Sequence, residues 1–220
     1  MTTIKTNTIR ILTVTDLHQS RKLYDQLGSA VRHHQPDIVA VLGDFLDMAD
    51  DRDLPLTKAE CALTLAALPC QEVVFVRGNH EGDGWPLFVA AWHSIGKPLR
   101  ALHAEAFAFG PAVLVGFPCK MGDAFHYLEG RESESNDVQQ WFSAIAKAYG
   151  SASRFLWLMH EPPTGTGLSA ETGAMAGNPE WNHAIELYAP QLVVCGHDHR
   201  TPLRRARWHA ALQQARCITA

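Results

Sequence analysis

The sequence of 220 residues carries five short polar clusters whose side chains are of the kind that bind divalent cations. They are Asp16-Leu17-His18, Gly43-Asp44-Phe45-Leu46-Asp47, Gly78-Asn79-His80-Glu81, His160-Glu161-Pro162-Pro163 and Gly196-His197-Asp198-His199. Their donors are carboxylate, amide and imidazole, without thiolate. Such a set suits Mn²⁺, Zn²⁺, Fe or Ni²⁺ and does not suit an iron–sulfur cluster, and its size is enough for two ions. Spacing adds a second signal. On an extended segment residues i and i+2 share a face, so Asp16 and His18 point together, as do His197 and His199, while Asp198 points elsewhere. One Asp-x-His or His-x-His is usually incidental; five clusters in one chain are not.

Positioning these side chains is the task of the elements that precede them. Each cluster follows a short run rich in apolar and β-branched residues: 8–15, 37–42, 72–76, 154–159 and 191–195, with a further run at 112–117. Runs that are apolar throughout, rather than alternating, suit strands covered on both faces. Helical stripes lie between them: Leu23, Leu27 and Val31; Trp85, Phe88, Val89 and Trp92; and Val138, Trp141, Phe142, Ile145 and Tyr149. Asn178-Pro179 reads as an N-cap followed by proline at the first helical position. Alternating strands and helices imply an α/β protein in which ligands gather beyond the carboxyl ends of the strands. Five strand ends carrying Asp, Asn and His therefore converge on one site.

The region 98–117 departs from this alternation. Leu99–Leu102, Ala106–Phe109 and Ala112–Phe117 read as consecutive strands, with Gly110-Pro111 as a turn, which predicts two sheets packed together. Arg216 to Ala220 reads as a returning strand. The stretches 118–135 and 161–178 read as long surface loops of the kind that carry function, and Phe125, His126, Tyr127 and Arg131 in the first are candidate substrate contacts. Residues 1–220 are expected to form a single domain.

Composition bounds the partners. Net charge is −4 and the pI is about 6.3, which speaks against a nucleic-acid binder. The cluster Arg204-Arg205-Arg207 reads as a solvated turn. No apolar run is long enough to span a membrane, and the N-terminal stretch lacks the pattern of a signal peptide. The five cysteines, 61, 70, 119, 195 and 217, contain no CxxC pair and read as thiols of a reducing compartment, so a cytoplasmic protein is expected.

In order and spacing, Asp16-x-His18, Gly43-Asp44-x-x-Asp47, Gly78-Asn79-His80-Glu81, His160 and Gly196-His197-x-His199 resemble the calcineurin-like metallophosphoesterases, over roughly residues 8 to 200. The resemblance implies a four-layer αββα sandwich of two mixed β-sheets flanked by helices. It implies one divalent ion held by Asp16, His18, Asp44 and His199, and a second held by Asp44, Asn79, His160 and His197, Asp44 bridging. It assigns His80 as the catalytic histidine and Asp47 as the carboxylate that orients it. Mn²⁺ is the foremost candidate, with Fe, Zn²⁺ or Ni²⁺ as alternatives. The implied reaction is hydrolysis of a small phosphomonoester or phosphodiester by a hydroxide bridging the two ions. Where the phosphoprotein phosphatases continue with Arg-Gly, Asp47 is followed here by Met48-Ala49, so the chain more nearly resembles small bacterial members such as class III cyclic-nucleotide phosphodiesterases. A nuclease is the alternative activity, and a non-catalytic protein-binding scaffold of the same fold is the remaining alternative.

Overall fold

The computed structural model describes residues 8–103, 105–117, 136–149, 155–170, 176–205, 209–212 and 215–219. The first half alternates β1 (Ile11–Val14), α1 (Arg21–His34), β2 (Ile38–Leu42), α2 (Lys58–Ala66), β3 (Glu72–Val76), α3 (Gly84–Ser94) and β4 (Arg100–Ala101). These strands form a four-stranded sheet in the order β1-β2-β3-β4, parallel at each pairing. The second half comprises β5 (Glu105–Phe109), β6 (Ala112–Phe117), α4 (Asn136–Tyr149), β7 (Phe155–Met159), α5 (Pro179–Tyr188), β8 (Leu192–Cys195), α6 (Thr201–Arg205), β9 (His209–Leu212) and β10 (Ala215–Thr219). Its six-stranded sheet has the order β5-β6-β7-β8-β10-β9, and is antiparallel at the β5–β6 and β9–β10 pairs. Two sheets are present as expected, but only the second is mixed. In the first, every strand returns through a helix, which imposes parallel pairing.

Alternation along the central strands explains why they read as apolar throughout. Val39 and Val41 of β2 and Val73 and Phe75 of β3 face outward, into a core with Tyr24, Leu27 and Val31 of α1, Cys61 and Leu65 of α2, and Phe88 and Trp92 of α3. Ile38, Ala40, Leu42, Val74 and Val76, one residue out of phase, meet Leu114, Leu158 and Val194 of the second sheet. Across that sheet Val115, Phe117, Trp157 and Val193 pack under Phe142 of α4 and Trp181 and Ile185 of α5. Helix, sheet, sheet, helix: the four layers follow from strands with two apolar faces, each of which must be covered.

Two local expectations change, and one helix is added. The strands at 98–117 are not consecutive neighbours: β4 pairs with β3 and closes the first sheet, and β5 opens the second. Leu23 lies at 36% exposure on the flank of α1, and Tyr24 takes the inward position, its hydroxyl donating to the Phe45 carbonyl at 2.9 Å. Helix α2 carries a start signal in Thr57-Lys58-Ala59-Glu60, a capping box with both hydrogen bonds made, which periodicity alone does not show. Asn178 caps α5 as expected, accepting from the Glu180 amide. Phe125, His126, Tyr127 and Arg131 lie outside the described residues, as does Arg207, while Arg204 is exposed on α6.

Candidate metal centre

At the carboxyl ends of β1, β2 and β8 the backbone turns sharply, and it does so at the donors themselves. Asp16, His18, Asp44 and His197 have φ of 56°, 42°, 50° and 69°, and Gln19 has 51°. Left-handed conformation costs a residue with a Cβ ~1–2 kcal/mol, so something must hold each of these in place. The two loops hold one another: the amides of Asp16, His18 and Gln19 donate to the carbonyls of Gly43, Asp44 and Phe45 at 3.0, 2.9 and 3.2 Å. Gly43, at φ 87°, is where this packing leaves no room for a side chain, since an added Cβ would lie 2.5 Å from His160 Nδ1 and 2.6 Å from the Gly78 nitrogen.

The side chains so presented fall into groups with donor atoms within 4.8 Å of one another. One group is Asp16, His18 and His199; a second is Asp44, His160 and His197; a third is His18, Asp47 and His80. Asn79 joins the second group, its Oδ1 3.2 Å from His160 Nε2. His197 and His199 thus go to different groups. The left-handed turn at His197, rather than extended alternation, separates them. Asp198 does face away: one carboxylate oxygen accepts the Arg200 and Thr201 amides and the other the Ala170 amide, all at 2.8–2.9 Å. Every residue named from sequence as a ligand is therefore in one neighbourhood, with Asp44 standing in the second group.

Around His160 the roles of the ring nitrogens are set. Its Nδ1 lies 2.8 Å from the Leu42 carbonyl, which only an N–H can satisfy, so Nε2 is the ring nitrogen that faces the site. Asn79 Oδ1, Asp44 Oδ2 and His197 Nδ1 all stand 3.2 Å from that Nε2. Burial pulls the His160 pKa down, but the hydrogen bond and charge of Asp44, with the charge of Asp16, carry it up to about 9. Burial pushes Asp44 up, and the opposing contacts from His160 and His80 bring it down to about 2. So many electron-pair donors facing one another demand a cation. Asp16 adds to the demand: its Oδ2 accepts the Thr15 hydroxyl and the His197 amide, while its Oδ1 is buried with no hydrogen-bond partner. An orphaned carboxylate oxygen in a cluster of imidazoles is what a divalent ion satisfies, and the donor set fits one.

His80 sits at the edge of this arrangement. Its amide donates to Asp44 Oδ1 at 2.9 Å and its ring Nε2 lies 3.9 Å from Asp44 Oδ2. Asp47 divides its carboxylate between two rings, Oδ1 being 3.7 Å from His80 Nδ1 and Oδ2 3.5 Å from His18 Nδ1. Beneath the site lies a residue to which sequence reasoning gave no role. Glu81, fully buried, accepts the backbone amides of Gly78, Asp44 and Leu46, and so ties the turns after β2 and β3 together. Desolvation and the Asp44 charge push its carboxyl up to about 7, against those amides. A carboxylate next to an Asn-His pair reads from sequence as one more ligand or none; its three amide partners appear only in the fold. Glu161 has a similar anchoring place, accepting from Asn178 and the Trp181 indole.

The sequence profile described as calcineurin-like phosphoesterase matches residues 9–201. No curated protein matches the sequence. Among solved structures, the protein TT1561 of Thermus thermophilus superposes with a TM-score of 0.70 at 17% identity, over 96% of this chain and 89% of that one. A dimetal phosphatase from Danio rerio gives 0.60 at 17% identity, over 96% and 86% of the two chains. GAP50, described as the anchor in the inner membrane complex of Plasmodium, gives 0.53 at 11% identity, over 96% and 70%. At these identities the likeness is one of fold, and the fold serves both a phosphatase and an anchor, so activity must be argued from the site.

Proposed function

The chain belongs to the calcineurin-like phosphoesterase family, a family of metal-dependent hydrolases, and from that premise we propose that it hydrolyses small phosphate esters with two divalent ions. The observation that carries this reading is the pairing of two donor groups, Asp16, His18 and His199 beside Asp44, His160, His197 and Asn79, with the ring of His80 next to both but in neither. The likeness to a dimetal phosphatase supports it. Each group would hold one ion, Asp44 serving both, and Mn²⁺ is the expected metal. When bound, two such ions acidify water and neutralise phosphoryl oxygens.

The chain's own residues then divide the remaining work. Asn79 contributes a neutral donor, which leaves Asp16 and Asp44 as the carboxylates among the ligands and keeps the site attractive to an anion. His80 donates a proton to the departing ester oxygen, and the Asp47 carboxylate faces its Nδ1 from 3.7 Å, where its charge favours the protonated, donating ring. Glu81 keeps Asp44 and Gly78 in register by gripping their amides. The protein stripped by a chelator and reloaded with Mn²⁺ is to be assayed on nitrophenyl phosphate, bis-nitrophenyl phosphate, cyclic nucleotides and nucleoside polyphosphates. Hydrolysis of at least one class, lost on stripping and regained on reloading, is expected. Turnover that survives exhaustive chelation overturns the reading.

A further inference from the structure

Asp47 lies on the segment between β2 and α2, outside any strand, yet it must present each carboxylate oxygen to a different imidazole. We infer that Gln19 is the positioning residue that makes this possible, an inference that rests on the proposed hydrolase site. Gln19 is fully buried and left-handed, at φ 51°. Its Oε1 accepts the Asp47 amide at 2.9 Å. Its Nε2 donates to Asp51 Oδ1 at 3.0 Å and to the Leu56 carbonyl. One acceptor and two donors are what a primary amide offers, and both ends are in use. The orientation is unambiguous, because a flipped amide would set its NH₂ against the Asp47 N–H and its oxygen against the Asp51 carboxylate.

The far side of the clasp is just as firmly held. Asp51 also accepts from the Lys58 ammonium at 2.8 Å and from the Lys58 amide at 3.2 Å. Lys58 Nζ reaches back to the Ala49 carbonyl at 3.1 Å, with its side chain only 8% exposed. Gln19 therefore joins the turn that carries His18 to both ends of the segment that carries Asp47. It thereby fixes the carboxylate that faces two rings at once, 3.5 Å from Nδ1 of His18, a ligand, and 3.7 Å from Nδ1 of His80, the proton donor. The residue itself touches neither ion nor substrate.

Two substitutions separate positioning from bulk packing. Gln19→Met keeps the volume and loses both polar ends. Gln19→Glu, kept protonated by burial and by the facing Asp51 carboxylate, keeps an acceptor for the Asp47 N–H and one O–H donor for Asp51, and loses only the donor to the Leu56 carbonyl. Gln19→Ala replaces the first if the longer side chain prevents folding. Thermal unfolding should show comparable destabilisation of both. Calorimetric titration of Mn²⁺ into the stripped proteins should show one of the two ions bound roughly tenfold more weakly in Gln19→Met, and near wild-type binding in Gln19→Glu. The ratio of rates on nitrophenyl and alkyl phosphate esters should rise about tenfold in Gln19→Met and little in Gln19→Glu. Equal behaviour of the two variants in both measurements, with wild-type protein binding two ions and His80→Ala shifting the ester ratio, overturns the inference alone. Wild-type protein that binds no Mn²⁺ or cleaves no ester overturns the hydrolase reading beneath it.

Discussion

His80 and His160 are both imidazoles at strand ends, yet their surroundings give them different work. His160 is fully buried, donates from Nδ1 to a carbonyl and meets three donor atoms at Nε2; the ring of His80 is half-buried and comes no nearer to Asp44 than 3.9 Å. Replacing His80 with alanine should therefore leave bound metal in place while lowering turnover by roughly 10²–10⁴, the usual contribution of a general acid. The loss should be greater on alkyl than on nitrophenyl esters, because a nitrophenolate departs without a proton. Equal losses would mean that the ring positions phosphate instead. His160 predicts a pH effect on loading. With its pKa raised to about 9, the metal-free ring is protonated at neutral pH, and an ion must displace that proton to use Nε2. Affinity should then rise with pH up to about 9 and level off above it. Calorimetry in buffers of different ionisation enthalpy should record about one proton released per chain near pH 7. Loading that releases none would remove His160 from the ligand set.

At the scale of elements, the turn after β8 does two things with adjacent residues. His197 and His199 supply donors to separate groups, and Asp198 between them takes three backbone amides, from Ala170, Arg200 and Thr201. It thereby caps α6 and fastens the loop that follows β7. Asp198→Ala should cost about 1–3 kcal/mol of stability, the penalty for leaving buried donors unsatisfied, and be read as a lower unfolding midpoint. Metal content measured on the same protein should not change. Metal lost in step with stability would show that the carboxylate is a ligand after all.

At the scale of the molecule, the candidate centre draws on both sheets. Asp16, His18, Asp44 and Asn79 follow strands of the first, and His160, His197 and His199 follow strands of the second. Between the sheets the contact is apolar, through Ile38, Leu42, Val74, Leu114, Leu158 and Val194, and at the rim it gives way to these donors. Ions bound there would cross-link the two halves and favour the folded state by mass action, by about 2.7 kcal/mol when free metal is 100 times Kd. Thermal unfolding should move to higher temperature as Mn²⁺ is added to stripped protein, and the gain should vanish in Asp44→Asn. An unfolding midpoint indifferent to metal would mean that the groups do not close on an ion. Among the described residues no helix is long and apolar enough to cross a membrane.

Much of this was legible in the chain because the donors are short-range features. Each lies within a few residues of a strand end, and the strands announce themselves as apolar runs that need cover on two faces. The α/β alternation, the presence of two packed sheets and the neighbourhood of Asp16, His18, Asp44, Asn79, His160, His197 and His199 follow from that pattern; the four layers came with the family resemblance, and the wholly parallel first sheet came only with the fold. Tertiary structure decided what depends on partners remote in sequence. The resemblance divided His197 and His199 between two ions, but what separates them, a left-handed turn at His197 packed against Asp16 across 181 positions, appears only in the fold. Glu81 and Gln19 are unremarkable polar letters until the amides 28 to 37 positions away arrive to meet them. A side chain's type is written locally, but its hydrogen-bond partner is chosen by how the sheets pack, and that choice separates a ligand from the residue that holds a ligand still.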